Sequence, residues 1–307
     1  AQYAGTSEAD WLASALAERG AEGADVFADA LTANLASGTA RILFPTDGMR
    51  IAMTYKSLGS PKFVSYLGDS VFYCTELGKR GVGDFAWALI AAEHCGTSFP
   101  SDAANTPESL LQSIAEAELE SGGFALMGNT ADADATAIVL RALAPYRESC
   151  SELVERTLNA LAELQRESGA FASLGTETAE STAQVVLALS ALGIAPDSDE
   201  RFVKNGVTCI DALYGFATSD GFAHIRGGET DALATAQALS ALRAYELPQQ
   251  NDDSVPASAG AVPSLSSAAT DNDSGTTQTV LLVAAAVAVV AGAAVFLRVR
   301  FAKQYQK

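Results

Sequence analysis

Gly122-Gly123-Phe124-Ala125, Gly169-Ala170-Phe171-Ala172 and Asp220-Gly221-Phe222-Ala223 are one phrase written three times. Eleven to thirteen residues after each phenylalanine, a Thr-Ala pair opens an apolar run: Thr136-Ala137-Ile138-Val139-Leu140, Thr182-Ala183-Gln184-Val185-Val186 and Thr235-Ala236-Gln237-Ala238-Leu239. The phenylalanines lie 47 and 51 residues apart. A period of that size marks a supersecondary unit that buries its apolar face only against its neighbours. The unit reads as a helical hairpin. An outer helix ends, a Gly-Phe turn reverses the chain, and an inner helix of small residues follows. Asp84 to Ala92 and Met49 to Leu58 read as two further, degenerate inner helices.

Outside these copies the same texture continues. Apolar residues recur at i, i+3, i+4 and i+7 in about eleven runs, from Ser7–Arg19 to Thr230–Tyr245, one of them the long stretch Ser198–Phe216. Strand-like alternation is nearly absent. Residues 1–247 are therefore predicted to be an all-α domain. Closing its hairpins into a ring gives a double-layered α/α toroid; leaving them open gives a superhelix.

The C-terminal fifth differs. Residues 248–279 are rich in Ser, Ala, Asp, Thr and Pro and carry no aromatic and no base, the composition of a flexible stalk. Residues 280–297 are apolar throughout, and Arg298, Arg300, Lys303 and Lys307 follow without an acid. That pattern predicts a single transmembrane helix, a basic cytoplasmic tail at 298–307 and an extracellular domain before it. The chain begins at Ala1; an exported domain implies a cleaved signal peptide, and a cloning boundary would look the same.

The chain carries a net charge of −18, and without the basic tail the remainder is at −22. Nucleic acid and anionic lipid are poor partners for such a surface. Cys74, Cys95, Cys150 and Cys209 permit two disulfides outside the cell, or four free core thiols. His94 and His224 are 130 residues apart, too scattered to suggest a zinc site. No P-loop, dinucleotide fingerprint or Ser-His-Asp constellation is visible.

The phrase Gly122-Gly123-Phe124, followed by Asp132-Ala133-Asp134-Ala135-Thr136-Ala137, resembles the Gly-Gly-Trp and Asp-x-Asp-Asp-Thr-Ala segment of squalene–hopene cyclases. The chain thus resembles the prenyltransferase and squalene-oxidase repeat family, the α/α toroids, over about residues 8–247. It is most similar to the bacterial repeat-containing cell-surface branch, on Ala144-Pro145-Tyr146 and the segment 199–206. The helical domain of transcobalamin and intrinsic factor shares the fold. In the cyclases the middle aspartate is the proton donor. Asp134 holds that place here and Asp132 the first, but Ala135 replaces the third acid. The zinc-binding Cys of protein prenyltransferases, the Gly-Cys-Gly-Glu-Gln of thioester domains and the β-domain of cobalamin carriers have no counterpart.

The polar residues that precede or open the inner helices are the candidate site: Asp132, Asp134 and Thr136; Glu177, Glu180 and Gln184; Asp231, Thr235 and Gln237, with Glu229 beside them and Trp87 on the fourth inner helix. As structure, the carboxylates cap helix N-termini, each at about 0.5–2 kcal/mol, and the glutamines bond each other. As function, they form a polar mouth. The leading expectation is a non-enzymatic, membrane-anchored surface domain that binds a small molecule or a protein at that mouth. A cobalamin-like ligand and a separate β-domain protein covering it are what the resemblance implies. The alternatives are a cyclase- or prenyltransferase-like enzyme acting on an isoprenoid or lipid with Asp134 as acid, and a protein-interaction scaffold.

Overall fold

The computed structural model describes residues 2–252. Six helices form the inner layer: α1 (Ser7–Ala17), α3 (Pro45–Ser57), α5 (Val82–Cys95), α7 (Ala133–Leu143), α9 (Ala179–Ala191) and α11 (Ala232–Asp252). Between them run the outer helices α2 (Ala24–Ser37), α4 (Phe63–Leu67, continued by a π turn to Phe72), α6 (Pro107–Glu116), α8 (Ser151–Glu163) and α10 (Cys209–Tyr214). Each inner helix from α1 to α9 packs on the next, and each outer helix packs on an inner one. Gln184 on α9 reaches Gln237 on α11, and the Arg19 guanidinium behind α1 donates to the Leu239 carbonyl of α11 at 3.0 Å. The layer therefore closes on itself: a toroid, not an open superhelix. Because inner and outer helices alternate, all six inner helices start on one face and end on the other.

The repeated phrase does the same work in each copy. Phe124, Phe171 and Phe222 are buried between the layers. The threonine of each Thr-Ala pair sits at the fourth helical residue, not at the start, and pins the turn. Thr136, Thr182 and Thr235 Oγ1 accept the N–H of Phe124, Phe171 and Phe222 at 3.0, 3.2 and 3.0 Å. The alanines after them, Ala137, Ala183 and Ala236, are fully buried and let inner helices approach closely. In the first two copies the turn is closed reciprocally, Leu119 N to Gly123 O with Gly122 N to Leu119 O, and Arg166 N to Ala170 O with Gly169 N to Arg166 O. That closure holds Gly122 and Gly169 at φ +81° and +78°, where a Cβ would be strained. The third copy is one residue shorter, closing from Thr218 N to Gly221 O, so Asp220 is tolerated where the others need glycine.

The N-terminal members of the ring keep the device with other chemistry. In α5 the buried Asp84 accepts the N–H groups of Gly78 and Arg80. In α1 the buried Asp10 accepts from Gly5 at 2.7 Å and pairs with Arg50 of α3. In α3 the place is taken by Gly48, whose missing side chain leaves room for Ser70 of the π turn.

Two expectations change, and an open alternative, the state of the cysteines, is decided. The stretch Ser198–Phe216 is not one helix. A short 3-10 turn ends at Phe202, Lys204 and Val207 pair across Asn205-Gly206, and only Cys209–Tyr214 is α-helical. Asn205 and Gly206 both have positive φ, the turn chemistry of a tight hairpin, which a helix cannot traverse. Two small antiparallel ribbons, Ala172–Ser173 with Thr176–Glu177 and Phe222–Ala223 with Thr230–Asp231, precede α9 and α11. All four cysteines are free thiols. Burial pushes Cys95 up to about 11 and Cys209 up to about 12, so both are inert core groups.

Among the described residues no helix is long and apolar enough to cross a membrane. The expected membrane helix at 280–297, the tail at 298–307 and the stalk beyond Asp252 lie outside the described residues; α11 takes in the first five residues of that stalk.

Candidate functional site

The predicted site residues do gather on the face where the inner helices begin, and most are engaged there by the protein itself. Asp132 is the N-cap of α7: its Oδ1 accepts the N–H groups of Asp134 and Ala135 at 2.9 and 3.2 Å. Its Oδ2 accepts from Ser173 Oγ at 2.9 Å and lies 3.4 Å from Leu174 N, tying down the loop of the next hairpin. The same link recurs one repeat on. Glu180 accepts from His224 Nδ1 at 2.9 Å, and Ala179 N donates to the His224 carbonyl. Asp231 caps α11 through Ala234 N at 2.8 Å.

The capping expectation needs correcting at the other acids. Thr178, not Glu177 or Glu180, caps α9, through Ser181 N. Glu177 accepts from Ser168 Oγ at 2.8 Å, and Glu229 is exposed. Thr136 and Thr235 belong to the turn clasps described above. Gln184 donates to Gln237 at 3.0 Å, so the amides bridge α9 and α11. Trp87 packs on Trp11 and carries the Arg141 guanidinium over its ring, inside the barrel.

Asp134 is only half engaged: Ser181 hydrogen-bonds to its carboxylate. Its Oδ1 is buried with no hydrogen-bond partner. Burial first, and the Asp132 and Glu180 carboxylates beside it, raise its pKa to about 6, against a smaller opposing effect of Ser181. The folded state thus holds this proton more tightly than the unfolded chain does. Its contribution is most favourable below about pH 4 and is lost as pH rises through about 6. Asp134→Asn should therefore stabilise the protein by on the order of 1–2 kcal/mol near pH 8 and hardly at all near pH 4. Urea unfolding at the two pH values reads this directly. Equal destabilisation at both would mean that the Ser181 hydrogen bond outweighs the burial of the charge.

Sequence reasoning missed a second polar cluster, at the opposite end of the inner helices. Ser57 Oγ lies 2.8 Å from Glu18 Oε1 and 3.0 Å from His94 Nε2. These residues are far apart in sequence, but each ends an inner helix. Aligning the helix ends, as well as the helix starts, would have exposed the group. It is not a hydrolytic triad: the acid lies on the serine side, 3.8 Å from the same Nε2 that faces Ser57. Burial lowers the His94 pKa, partly opposed by Glu18. Among the described residues no three His, Cys, Asp or Glu side chains are placed to hold a metal ion.

Hairpins closed into a ring, inner helices begun by a Gly-Phe turn and a Thr-Ala clasp: these define an α/α toroid. The prenyltransferase alpha-alpha toroid domain matches residues 79–260, and the chain belongs to that family. The match begins just before α5, so α1 to α4 complete the ring without contributing to it. No curated protein matches the chain.

Proposed function

We propose that this toroid is a non-enzymatic binding domain whose partner, a protein with a basic and apolar surface, docks on the face where the inner helices begin. One observation carries this. Five of the six loops that lead into an inner helix present large exposed apolar side chains: Tyr3, then Ile42, Leu43 and Phe44, then Leu126 and Met127, then Leu174, then Ile225; in the remaining loop the exposed Tyr73 is tied through its hydroxyl to Asp102 of the loop that leaves α5. Up to Tyr245 the other large exposed hydrophobics are Val26 and Val64, on outer helices. Loops are ordinarily polar, and so regular an apolar crown on one face marks an interaction surface.

The loops are braced, which suits a preformed surface. Arg80 stacks over Phe44 at 4.1 Å and donates to Thr46. A groove of about 560 Å³ opens beside them, lined by Leu43, Phe44, Tyr66, Cys74 and Glu76 among others. Around the crown the acids Glu76, Glu177, Asp220 and Glu229 stand among the bases Arg41, Lys79, Arg80 and Arg226, with Glu76 paired to Lys79; it is the chain's net charge of −18 that favours a cationic partner over an anionic bilayer or a second copy of this acidic chain. Display outside the cell on the apolar run 280–297 belongs to the same proposal. So does a cobalamin-sized ligand at the mouth, which a protein docked on the crown would cover.

The cyclase-like reading is less favoured. A proton donor to an alkene must be a strong acid, whereas a carboxyl raised to about 6 is a weak one.

The test uses Leu43→Asp, Met127→Asp and Leu174→Asp with a synthetic amphipathic Lys/Leu helical peptide as probe. At these exposed positions melting should hardly move. Peptide affinity should fall about tenfold for the triple variant, although each aspartate adds charge that attracts a basic peptide. Unchanged or tighter binding would show attraction by charge alone and overturn the crown as a docking surface.

A further inference from the structure

The barrel interior is zoned from end to end. Trp11 and Glu18 on α1 are seven residues apart, as are Trp87 and His94 on α5, and Asp134 and Arg141 on α7. Seven residues are two helical turns, so each pair shares one face. The indoles of Trp11 and Trp87 meet at 5.7 Å between centroids, although α1 and α5 are separated in the ring by α3. They can do so only on the inside. Below them, at the C-terminal ends of the inner helices, stand Glu18, Ser57, His94 and Arg141. All six are partly exposed, so they line a space that solvent reaches.

Arg141 is the anomaly. Among the described residues its guanidinium has no hydrogen-bond acceptor and no carboxylate within 4 Å; its contact is the Trp87 ring at 5.8 Å. Desolvation pulls its pKa down to about 10, with Glu18 opposing, yet it stays charged at neutral pH. A guanidinium has five donors in a planar fork, and Arg141, partly exposed to the lumen, holds that fork open to an acceptor there. Glu18 relieves the guanidinium only in part, through space, with the Glu18 Oε1 accepting from Ser57.

We infer that the C-terminal end of the lumen is a binding site for a small monocarboxylate with an apolar ring. Arg141 takes the carboxylate through its fork, and the apolar ring lies against the paired indoles of Trp11 and Trp87. A carboxylate is the planar, bidentate match for guanidinium. A monoanion fits because the one cation facing the site is only partly offset by Glu18, which repels a second negative charge. The site is at the opposite end of the toroid from the loop crown and does not depend on the function proposed there.

The chain has only two tryptophans, and both are in this site, so tryptophan emission reads its occupancy alone. The probes are benzoate, cyclohexanecarboxylate, neutral benzamide and inorganic phosphate, titrated into the full chain. Both carboxylates should change the emission saturably, while benzamide and phosphate should not. Arg141→Gln should weaken benzoate binding about tenfold or more, and Arg141→Lys should restore part of it. Should Arg141→Gln fail to fold, Trp87→Leu must lower benzoate affinity in its place. No saturable change with benzoate, equal binding of benzamide or phosphate, or unchanged affinity in the variant that folds would each overturn the site.

Discussion

Phe171→Ala is expected to cost about 3–5 kcal/mol of unfolding free energy, the typical loss for deleting a buried ring. Phe171 is fully buried at the centre of the repeated turn, packed between the outer and inner layers. Alanine there leaves a cavity that the flanking helices cannot close, because the clasp to Thr182 fixes the backbone on one side and the Arg166–Ala170 turn fixes it on the other. A single domain has about 5–15 kcal/mol in hand, so the variant should sit near the threshold of folding. Leu174→Ala, three residues on but 74% exposed, is the control and should change stability by less than about 0.5 kcal/mol. Urea unfolding of the pair reads the difference. Similar losses would mean that Phe171 is not the anchor.

Thr182→Val should cost about 2 kcal/mol although it preserves the shape of the side chain. The hydroxyl is fully buried and accepts the Phe171 N–H at 3.2 Å, while donating to the Thr178 carbonyl at 2.9 Å. Valine leaves that N–H buried without an acceptor, and the loss is the desolvation of the orphan donor. Thr182→Ser keeps the oxygen and should cost less than valine, mainly the lost methyl contacts. A valine variant as stable as wild type, with serine the worse of the two, would show that the threonine is conserved between repeats for packing and not for the clasp. The same ordering is expected at Thr136 and Thr235, which hold Phe124 and Phe222 in the same way.

Much of this fold could be read before any coordinates. The three Gly-Phe and Thr-Ala copies give α7, α9 and α11, and the degenerate copies at Met49 and Asp84 are α3 and α5. The sixth inner helix was not legible as such. α1 has no Thr-Ala pair, and its clasp is Asp10, a charged residue in a place where the repeat has a hydroxyl. The broken stretch after Ser198 was hidden because its apolar residues still fall at helical spacing, while Asn205-Gly206 alone redirects the chain.

At the rim the residues were found but their tasks were only half read. Caps depend on one backbone rotation at the helix start, which favoured Asp132 and Thr178 over their acidic neighbours. The Ser57 group and the apolar crown were invisible for a different reason. Each is assembled from one or two residues per hairpin, in positions where the repeats do not resemble one another. Such features become apparent only when the ring has been closed.

The most direct measurement of the proposed function is site-specific photocrosslinking in intact cells that make the protein. A photoreactive phenylalanine analogue is placed at Met127 or Leu174 on the crown, or at Val26 on an outer helix. The expected result is a discrete adduct from the two crown positions and none from Val26. The adduct should be lost with Leu43→Asp, and the crosslinked peptide of the partner should be rich in lysine and arginine. Adducts of equal yield from Val26, or none from either crown position, would contradict a toroid that binds through the loops of its inner helices.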